Sequence, residues 1–267
     1  MKNPFQFYIR VMFICLAYCG IILGQSKNRM NKMNEKEFKV KAMTVKYLSG
    51  SDTVSGYLVM PEGKGPFPAL IVVHEWWGLT PWMKSNAEEF AKKGYAALAV
   101  DLFRGEVTSD PKVAAELSKN LPKERAVEDL KAAYNYLNSL PQVNKKKIGS
   151  IGWCFGGGYS FQTALNEPRL AACVVNYGSL SSDAKELKKI HCPVLCVYGT
   201  KDQVFPESYV KGFEKAAKKA GLKTSVHFYE GMGHAFMNPG NKNGYGKKQA
   251  DAAWKVIYAF IDKNLMK

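Results

Sequence analysis

The chain has 267 residues, 46% of them hydrophobic, and a formal net charge of +15. This length and composition suit one globular domain with a sizeable core. The basic residues form short, dispersed lysine runs without a basic face interleaved with aromatic residues, which argues against a nucleic-acid partner. We interpret the charge as a solvated surface, with attraction to acidic substrates or anionic envelope surfaces as a second interpretation.

Residues 1–25 have the pattern of a secretory signal peptide. Lys2 and Arg10 precede an apolar stretch at residues 11–23, and small or polar residues follow it. This stretch is shorter than the roughly 20 residues of a membrane span, although an uncleaved N-terminal anchor stays open. The sequence therefore predicts a periplasmic or secreted protein with no membrane span after signal removal, and residues 26–37 as a polar leader.

A hairpin and then a series of strands and helices are predicted along residues 38–267. Alternation at residues 38–47 and 53–60 around a polar turn predicts an antiparallel hairpin at a sheet edge. Further along, apolar runs alternate with helical patterns, which predicts one α/β domain with a mostly parallel central sheet and helices on both faces. The predicted strands are 69–73, 95–100, 147–151, 170–175, 194–198 and 224–229, and the predicted helices 82–93, 111–120, 123–140, 157–165, 206–220 and 247–265.

Three cysteines lie in apolar, strand-like runs and are predicted to be buried: Cys173, Cys192 and Cys196. Cys192 and Cys196, if they share one strand, would lie roughly 13 Å apart, which is too far for a disulfide. A bridge from Cys173 to a neighbouring strand stays open. The four histidines have no metal-ligand spacing, so neither a metal nor a cofactor is predicted.

The run at residues 148–158 reads IGSIGWCFGGG and predicts a buried strand, a sharp turn and the start of a helix. Gly152 and Gly156 flank Cys154 at two-residue spacing, where such a turn leaves no room for side chains. The turn aims the cysteine sulfur at a helix N-terminus, whose free N–H groups and dipole favour a thiolate. We therefore predict a nucleophile at Cys154, against the alternatives of a small buried cysteine or a phosphate-cradling loop.

Two further polar residues, Asp202 and His234, each follow a predicted strand. With Cys154 they occur in the order nucleophile, acid, histidine, and parallel strands carry such residues to one sheet edge. Because a thiol with a pKa of about 8.5 is mostly protonated at neutral pH, His234 is expected to take its proton and Asp202 to orient the imidazole. The backbone N–H groups of Phe155 and Trp76 are the expected oxyanion donors.

Five sequence blocks resemble the dienelactone hydrolase family, and the resemblance runs from about residue 40 to residue 265. The blocks are HEWWG at 74–78, DLF at 101–103, GWCFGG at 152–157, GTKD at 199–202 and GHAF at 233–236. The resemblance implies an α/β-hydrolase fold with a Cys-His-Asp triad that opens enol-lactones such as 4-carboxymethylenebut-2-en-4-olide. It also implies that Glu75 contacts the resting thiol and takes part in its activation when substrate binds.

The predicted substrate-binding residues depart from the family's pattern. The family grips a substrate carboxylate with two arginines; Arg104 lies within one residue of the first position, and Asn238 occupies the second. A carboxylate without such a partner loses charge-assisted hydrogen bonds of about 1.5–3 kcal/mol each, so an anionic substrate is less favoured. Trp77 and Phe236, with other aromatic residues near the predicted mouth, indicate either an apolar acyl pocket or packing residues.

These observations together predict a monomeric, exported, thiol-dependent hydrolase that cleaves a small carboxylic ester or lactone through an acyl-enzyme on Cys154. Two alternatives stay open at this point. One is an envelope protein that keeps the fold and binds a small molecule without turnover. The other is a peptidase or acyltransferase of the same fold.

Overall fold

The computed structural model describes residues 37–266 of the chain. This part contains eight strands and seven α-helices. The strands are β1 (Val40–Ser49), β2 (Asp52–Pro61), β3 (Phe67–Val73), β4 (Ala96–Val100), β5 (Val143–Trp153), β6 (Ala172–Asn176), β7 (Val194–Gly199) and β8 (Thr224–Tyr229). The helices are α1 (Pro81–Lys92), α2 (Pro111–Asn120), α3 (Lys123–Ser139), α4 (Phe155–Asn166), α5 (Ala184–Leu187), α6 (Glu207–Ala220) and α7 (Lys247–Ile261), and a π-helical turn at Asp262–Met266 follows α7.

The strands form a single mixed sheet in the order β1-β2-β4-β3-β5-β6-β7-β8. β1 and β2 form an antiparallel hairpin, and β2 runs antiparallel to β4. The remaining neighbours pair in parallel. Every residue of β4, β6 and β7 is buried, and because successive side chains point to opposite faces, both faces of the sheet are covered. The predicted α/β-hydrolase architecture and its N-terminal hairpin are confirmed.

The parallel strands carry their carboxyl ends to one edge of the sheet. The loops after β3, β5, β6, β7 and β8 therefore begin at the same edge, where ligands bind in open α/β sheets. These loops contain the predicted nucleophile, acid, histidine and oxyanion donors. A groove of about 1000 Å³ lies at the opposite, amino-terminal ends of β7 and β8 and holds none of the predicted site residues.

Three elements differ from the sequence-based expectation. β5 begins at Val143 rather than at residue 147, because Val143 pairs with Phe67 across an irregularity in the β3–β5 register. The exposed lysines of this first half hide its strand character in a search for apolar runs. The short helix α5 was not predicted, and α7 ends at Ile261, where the π-helical turn begins.

The three predicted core cysteines are buried and carry no disulfide. Cys173 lies in β6 and Cys196 in β7, whereas Cys192 precedes β7 by two residues instead of sharing its strand. These thiols are thus packed in the protein interior as small apolar side chains.

The predicted signal peptide and the leader up to residue 36 lie outside the described residues. Export, signal cleavage and the monomeric state therefore stay predictions. Within residues 37–266, each helix is too short or too polar to cross a membrane.

Candidate active site

The turn between β5 and α4 holds Cys154 in a conformation that side chains rarely adopt, with φ +54° and ψ −118°. A Cβ atom on Gly152 would lie 2.0 Å from the Gly156 carbonyl oxygen, and one on Gly156 would lie 2.3 Å from the Val73 carbonyl oxygen. Both positions therefore require glycine. The Cys154 N–H donates to the Asn176 carbonyl oxygen at 3.0 Å, which ties the turn to the end of β6.

Two side chains from other strand ends form a line with this thiol. His234 Nε2 lies 3.0 Å from Cys154 Sγ, and His234 Nδ1 lies 2.9 Å from Asp202 Oδ2. The other carboxylate oxygen, Asp202 Oδ1, accepts the N–H groups of Val204 and Phe205 at 2.8 and 3.0 Å. Asp202 is buried, so these bonds fix the carboxylate that faces the imidazole. The structure thus brings together the three residues that the sequence singled out.

The thiol is held in its protonated form in the resting site. Burial raises the pKa of Cys154 to about 12, and the negative charges of Glu75 and Asp202 act in the same direction. A hydrogen bond from the Phe155 N–H opposes this rise by stabilising the thiolate. Formation of a nucleophilic thiolate at neutral pH therefore requires a proton acceptor beside the sulfur, and His234 Nε2 occupies that place.

Glu75 lies in the loop after β3 and is only 3% exposed. Its Oε2 accepts a hydrogen bond of 2.6 Å from Asn238 Nδ2, whereas its Oε1 is buried without a partner among the described residues. Burial raises the pKa of Glu75 to about 7, and the hydrogen bond from Asn238 acts against that rise. Asn238, predicted to contact substrate, is placed against Glu75.

His74, which the sequence reasoning did not single out, orders the loop that carries Glu75 and Trp76. Its ring is buried; Nε2 accepts the Leu102 N–H at 3.2 Å, and Nδ1 lies 2.6 Å from the Glu75 carbonyl oxygen. These partners require the proton on Nδ1. Burial lowers the pKa of His74, which keeps the ring neutral.

The two predicted oxyanion donors belong to different segments, the start of α4 and the loop after β3. The Phe155 N–H is the first of α4 and bonds the cysteine sulfur. Within residues 37–266 the Trp76 N–H has no hydrogen-bond partner, so it is free to donate to a bound oxygen.

A cavity of about 500 Å³ opens in front of Cys154. Its lining is mainly aromatic and apolar, and Lys123, an exposed residue at the start of α3, is the one cation among the described lining residues. The lining residues are Trp76, Ser118, Lys123, Cys154, Phe155, Gly158, Tyr159, Gln162, Ser179, Val204 and Phe205.

Residues 54–265 match the sequence model of the dienelactone hydrolase family. The chain belongs to the dienelactone hydrolase family. It is similar to "Protein usf" of Aquifex pyrophilus, with 30% identity over 219 residues that cover 79% of this chain and 94% of the relative. A relative from Methylorubrum extorquens named "Putative carboxymethylenebutenolidase" is 29% identical over 218 residues, which cover 76% of this chain and 75% of the relative.

A solved structure supports the same fold. The dienelactone hydrolase-like promiscuous phosphotriesterase from metagenomic libraries has a TM-score of 0.78 to this chain, with 24% identity over 84% of this chain and 98% of the other. This likeness concerns the fold alone. The match to the family's sequence model is what makes the protein a hydrolase of the dienelactone hydrolase family.

Two predicted substrate-binding aromatic residues, Trp77 and Phe236, do not line the cavity. Phe236 is fully buried and packs on Tyr177 and Tyr229, with ring centroids 5.9 and 5.3 Å away. The Trp77 ring packs on Trp76 at 4.7 Å, and its carbonyl oxygen accepts the Thr108 N–H. Of the two interpretations of these aromatic residues, packing fits their positions.

Tyr177, which the sequence did not single out, packs against the ring of His234. Its ring is fully buried, with its centroid 5.3 Å from that of His234 in an edge-to-face arrangement, and its backbone has φ +39°. Its N–H donates to the Val197 carbonyl oxygen. The sequence does contain a signal for this residue, because Tyr177 directly follows β6 at the sheet edge where the other site residues lie.

Arg104, predicted to bind substrate, has its guanidinium engaged by two carboxylates. Its Nη1 lies 2.7 Å from Asp129 Oδ2 and its Nη2 lies 2.8 Å from Asp52 Oδ2. Asp129 is almost completely buried, and Arg104 does not line the cavity at Cys154. Through these two ion pairs Arg104 links α3 and the β1–β2 hairpin to the loop after β4.

We expect the substitution Arg104→Met to lower stability rather than to impair binding. It leaves the Asp129 carboxylate buried without a cation, which costs about 3 kcal/mol in the free energy of unfolding. Chemical denaturation measures this loss, with Lys211→Met as a control. Lys211 forms an exposed pair with Glu207, so its replacement should cost less than about 1 kcal/mol. Unchanged stability with a raised KM for carboxylate substrates would instead support the predicted substrate role.

Proposed function

We propose that this family member is a thiol hydrolase that cleaves a carboxylic ester or lactone through an acyl-enzyme on Cys154. The observation that carries the proposal is the pair of hydrogen-bond contacts that link Cys154 Sγ to His234 and His234 to Asp202. A nucleophile, a base in reach of its proton and a third group that orients the base are what covalent acyl transfer requires.

The first half-reaction forms a thioester. His234 Nε2 takes the thiol proton while Cys154 Sγ attacks the substrate carbonyl carbon, and the carbonyl oxygen becomes an oxyanion. The N–H groups of Phe155 and Trp76 donate to that oxygen. When the tetrahedral intermediate collapses, the bond from carbon to the alcohol oxygen breaks, and His234 returns its proton to that oxygen.

The second half-reaction releases the acid. His234 removes a proton from a water molecule, whose oxygen attacks the thioester carbonyl. The second tetrahedral intermediate expels the Cys154 sulfur, which recovers the proton from His234. In a lactone both halves of the substrate remain joined, so the product is one hydroxy or oxo acid. Asp202 stabilises the imidazolium that forms in each half.

The charges around the cavity favour an uncharged acyl group. The guanidinium of Arg104 is engaged by Asp52 and Asp129, and the amide of Asn238 is engaged by Glu75. Lys123 is exposed, and an ion pair in such a position contributes less than about 1 kcal/mol. We therefore propose apolar or aromatic esters and lactones as the substrate class, in contrast to the carboxylate-bearing lactone that the family resemblance implies.

Matched substrates test this proposal. We expect kcat/KM for an uncharged aryl ester to exceed that for its carboxylate-bearing analogue by about tenfold or more, since the carboxylate finds no desolvated cation. The panel includes a lactone and the amide of the same acyl group. Faster amide than ester cleavage would point to a peptidase, and a thiol that resists alkylation, together with an absence of turnover, would point to a binding protein.

A further inference from the structure

The amide of Asn238 is held in a fixed orientation toward Glu75. Its Oδ1 accepts the Gly240 N–H at 2.7 Å, so the opposite end of the amide, Nδ2, must face the Glu75 carboxyl group, 2.6 Å away. The backbone N–H of Asn238 donates to the Ala235 carbonyl oxygen, and its own carbonyl oxygen accepts the Asn241 N–H. The contact is therefore built into the loop that follows His234.

The carboxyl group of Glu75 faces titratable groups but no bonded cation. Among the described residues, its only hydrogen bond is the one from the neutral Asn238 amide, and it has no ion pair with a lysine or arginine. Its charge raises the pKa of two groups that face it from other elements, the Cys154 thiol after β5 and the Tyr177 hydroxyl after β6. The other titratable groups packed around this site are His74, Asp202 and His234.

We propose that Asn238 is a positioning residue that sets the protonation state of Glu75 and, through it, the pH at which the Cys154 thiol becomes reactive. This proposal rests on the proposed function, because it concerns how the same nucleophile is controlled. It adds a role for a residue that bonds Glu75 rather than the thiol and is not among the lining residues of the cavity.

Two features of the contact support this role. The Asn238 N–H stabilises the carboxylate form, and it occupies Oε2, so that a proton on the neutral form must reside on the unpartnered Oε1. Because the amide adds a hydrogen bond but no charge, it offsets only part of the rise in the Glu75 pKa that burial causes. The pKa of Glu75, about 7, agrees with this balance.

The sign of the effect on the thiol follows from charge. Below pH 7 a neutral Glu75 does not oppose a thiolate, whereas above it the carboxylate repels one. The rate at which iodoacetamide alkylates Cys154 reports thiolate and needs no substrate turnover. We expect its pH profile to contain an inflection near pH 7 that disappears in Glu75→Gln.

Substitutions at position 238 should move that inflection in opposite directions. Asn238→Asp keeps the acceptor for the Gly240 N–H, removes the donor and adds a like charge, so the inflection moves up by about one pH unit. Asn238→Lys places a cation beside the carboxyl group and moves it down. In a Glu75→Gln background Asn238→Lys should give no inflection near pH 7, because the titrating carboxyl group is gone. Asn264→Asp is the matched control. The amide of Asn264 donates to the Phe260 carbonyl oxygen and not to Glu75, so this substitution should leave the inflection in place.

The proposal is overturned if the inflection stays where it is in both variants, or if Asn238→Lys still gives an inflection near pH 7 without Glu75. Should a variant at 238 fail to fold, an inflection that survives Glu75→Gln overturns it on its own. Failure of the proposed function gives a different result: no ester or lactone turnover, with the alkylation profile intact.

Discussion

Substitution of Cys154 by alanine should abolish the hydrolysis of esters and lactones. Alanine keeps the backbone of the turn but removes the sulfur that His234 Nε2 contacts at 3.0 Å. When the nucleophile of a triad is lost, only the oxyanion donors and binding remain, so we expect kcat to fall by about 10⁴-fold or more. Steady-state assays on an activated aryl ester measure the loss, and circular dichroism confirms that the variant is folded.

A second cysteine provides the matched control. Cys192 is also buried and free, but it lies at the amino-terminal side of β7, away from the catalytic edge. Cys192→Ala should therefore leave kcat/KM within about twofold of the parent, since a change in packing there does not reach the thiol. Turnover by Cys154→Ala at the parent rate would refute the assignment of the nucleophile.

The substitution Asp202→Asn should lower kcat/KM by about 10⁴-fold without unfolding the protein. The side-chain oxygen that accepts the N–H groups of Val204 and Phe205 must remain an oxygen, so the new amide turns its NH₂ group toward His234 Nδ1. Nδ1 must then accept a hydrogen bond, and the histidine proton moves to Nε2, where it faces the thiol. In that tautomer the ring cannot take the proton of Cys154.

An N-capping aspartate is the control for this change. Asp110 accepts the Lys112 N–H at the start of α2, and Asp110→Asn keeps that acceptor. We expect its kcat/KM to equal that of the parent and its melting temperature to change little. If Asp202→Asn keeps a kcat/KM within tenfold of the parent, then His234 does not depend on the Asp202 carboxylate for its orientation.

Local patterns were sufficient to predict the sheet and the meeting of three candidate site residues at its edge. Completely buried parallel strands read as short apolar runs, which is why β4 and β7 were evident from the sequence. Chemistry-bearing residues in the loops after parallel strands, including the partly exposed β8, are carried to one edge by the topology. Cys154, Asp202 and His234 each occupy such a place, so their meeting could be predicted without any distance.

Residues whose partners are remote in sequence were predicted less well. Arg104 was expected at the substrate, but its charge is engaged by Asp129, 25 residues away, and by Asp52, 52 residues away. Asn238 was expected to face substrate, yet it bonds Glu75, 163 residues earlier. A sequence pattern records which residue type stands at a strand end, but tertiary packing decides which of several oppositely charged or polar groups it contacts.

Covalent trapping of the acyl group tests directly whether Cys154 is the nucleophile. An ester whose acyl group leaves the enzyme slowly is mixed with the protein, the reaction is quenched in acid within one turnover, and the peptides are mapped by mass spectrometry. We predict one acyl group per chain, attached to Cys154 as a hydroxylamine-sensitive thioester and absent from Cys154→Ala. Consumption of the substrate without an adduct on Cys154, or an adduct on another residue, would contradict this assignment of the nucleophile.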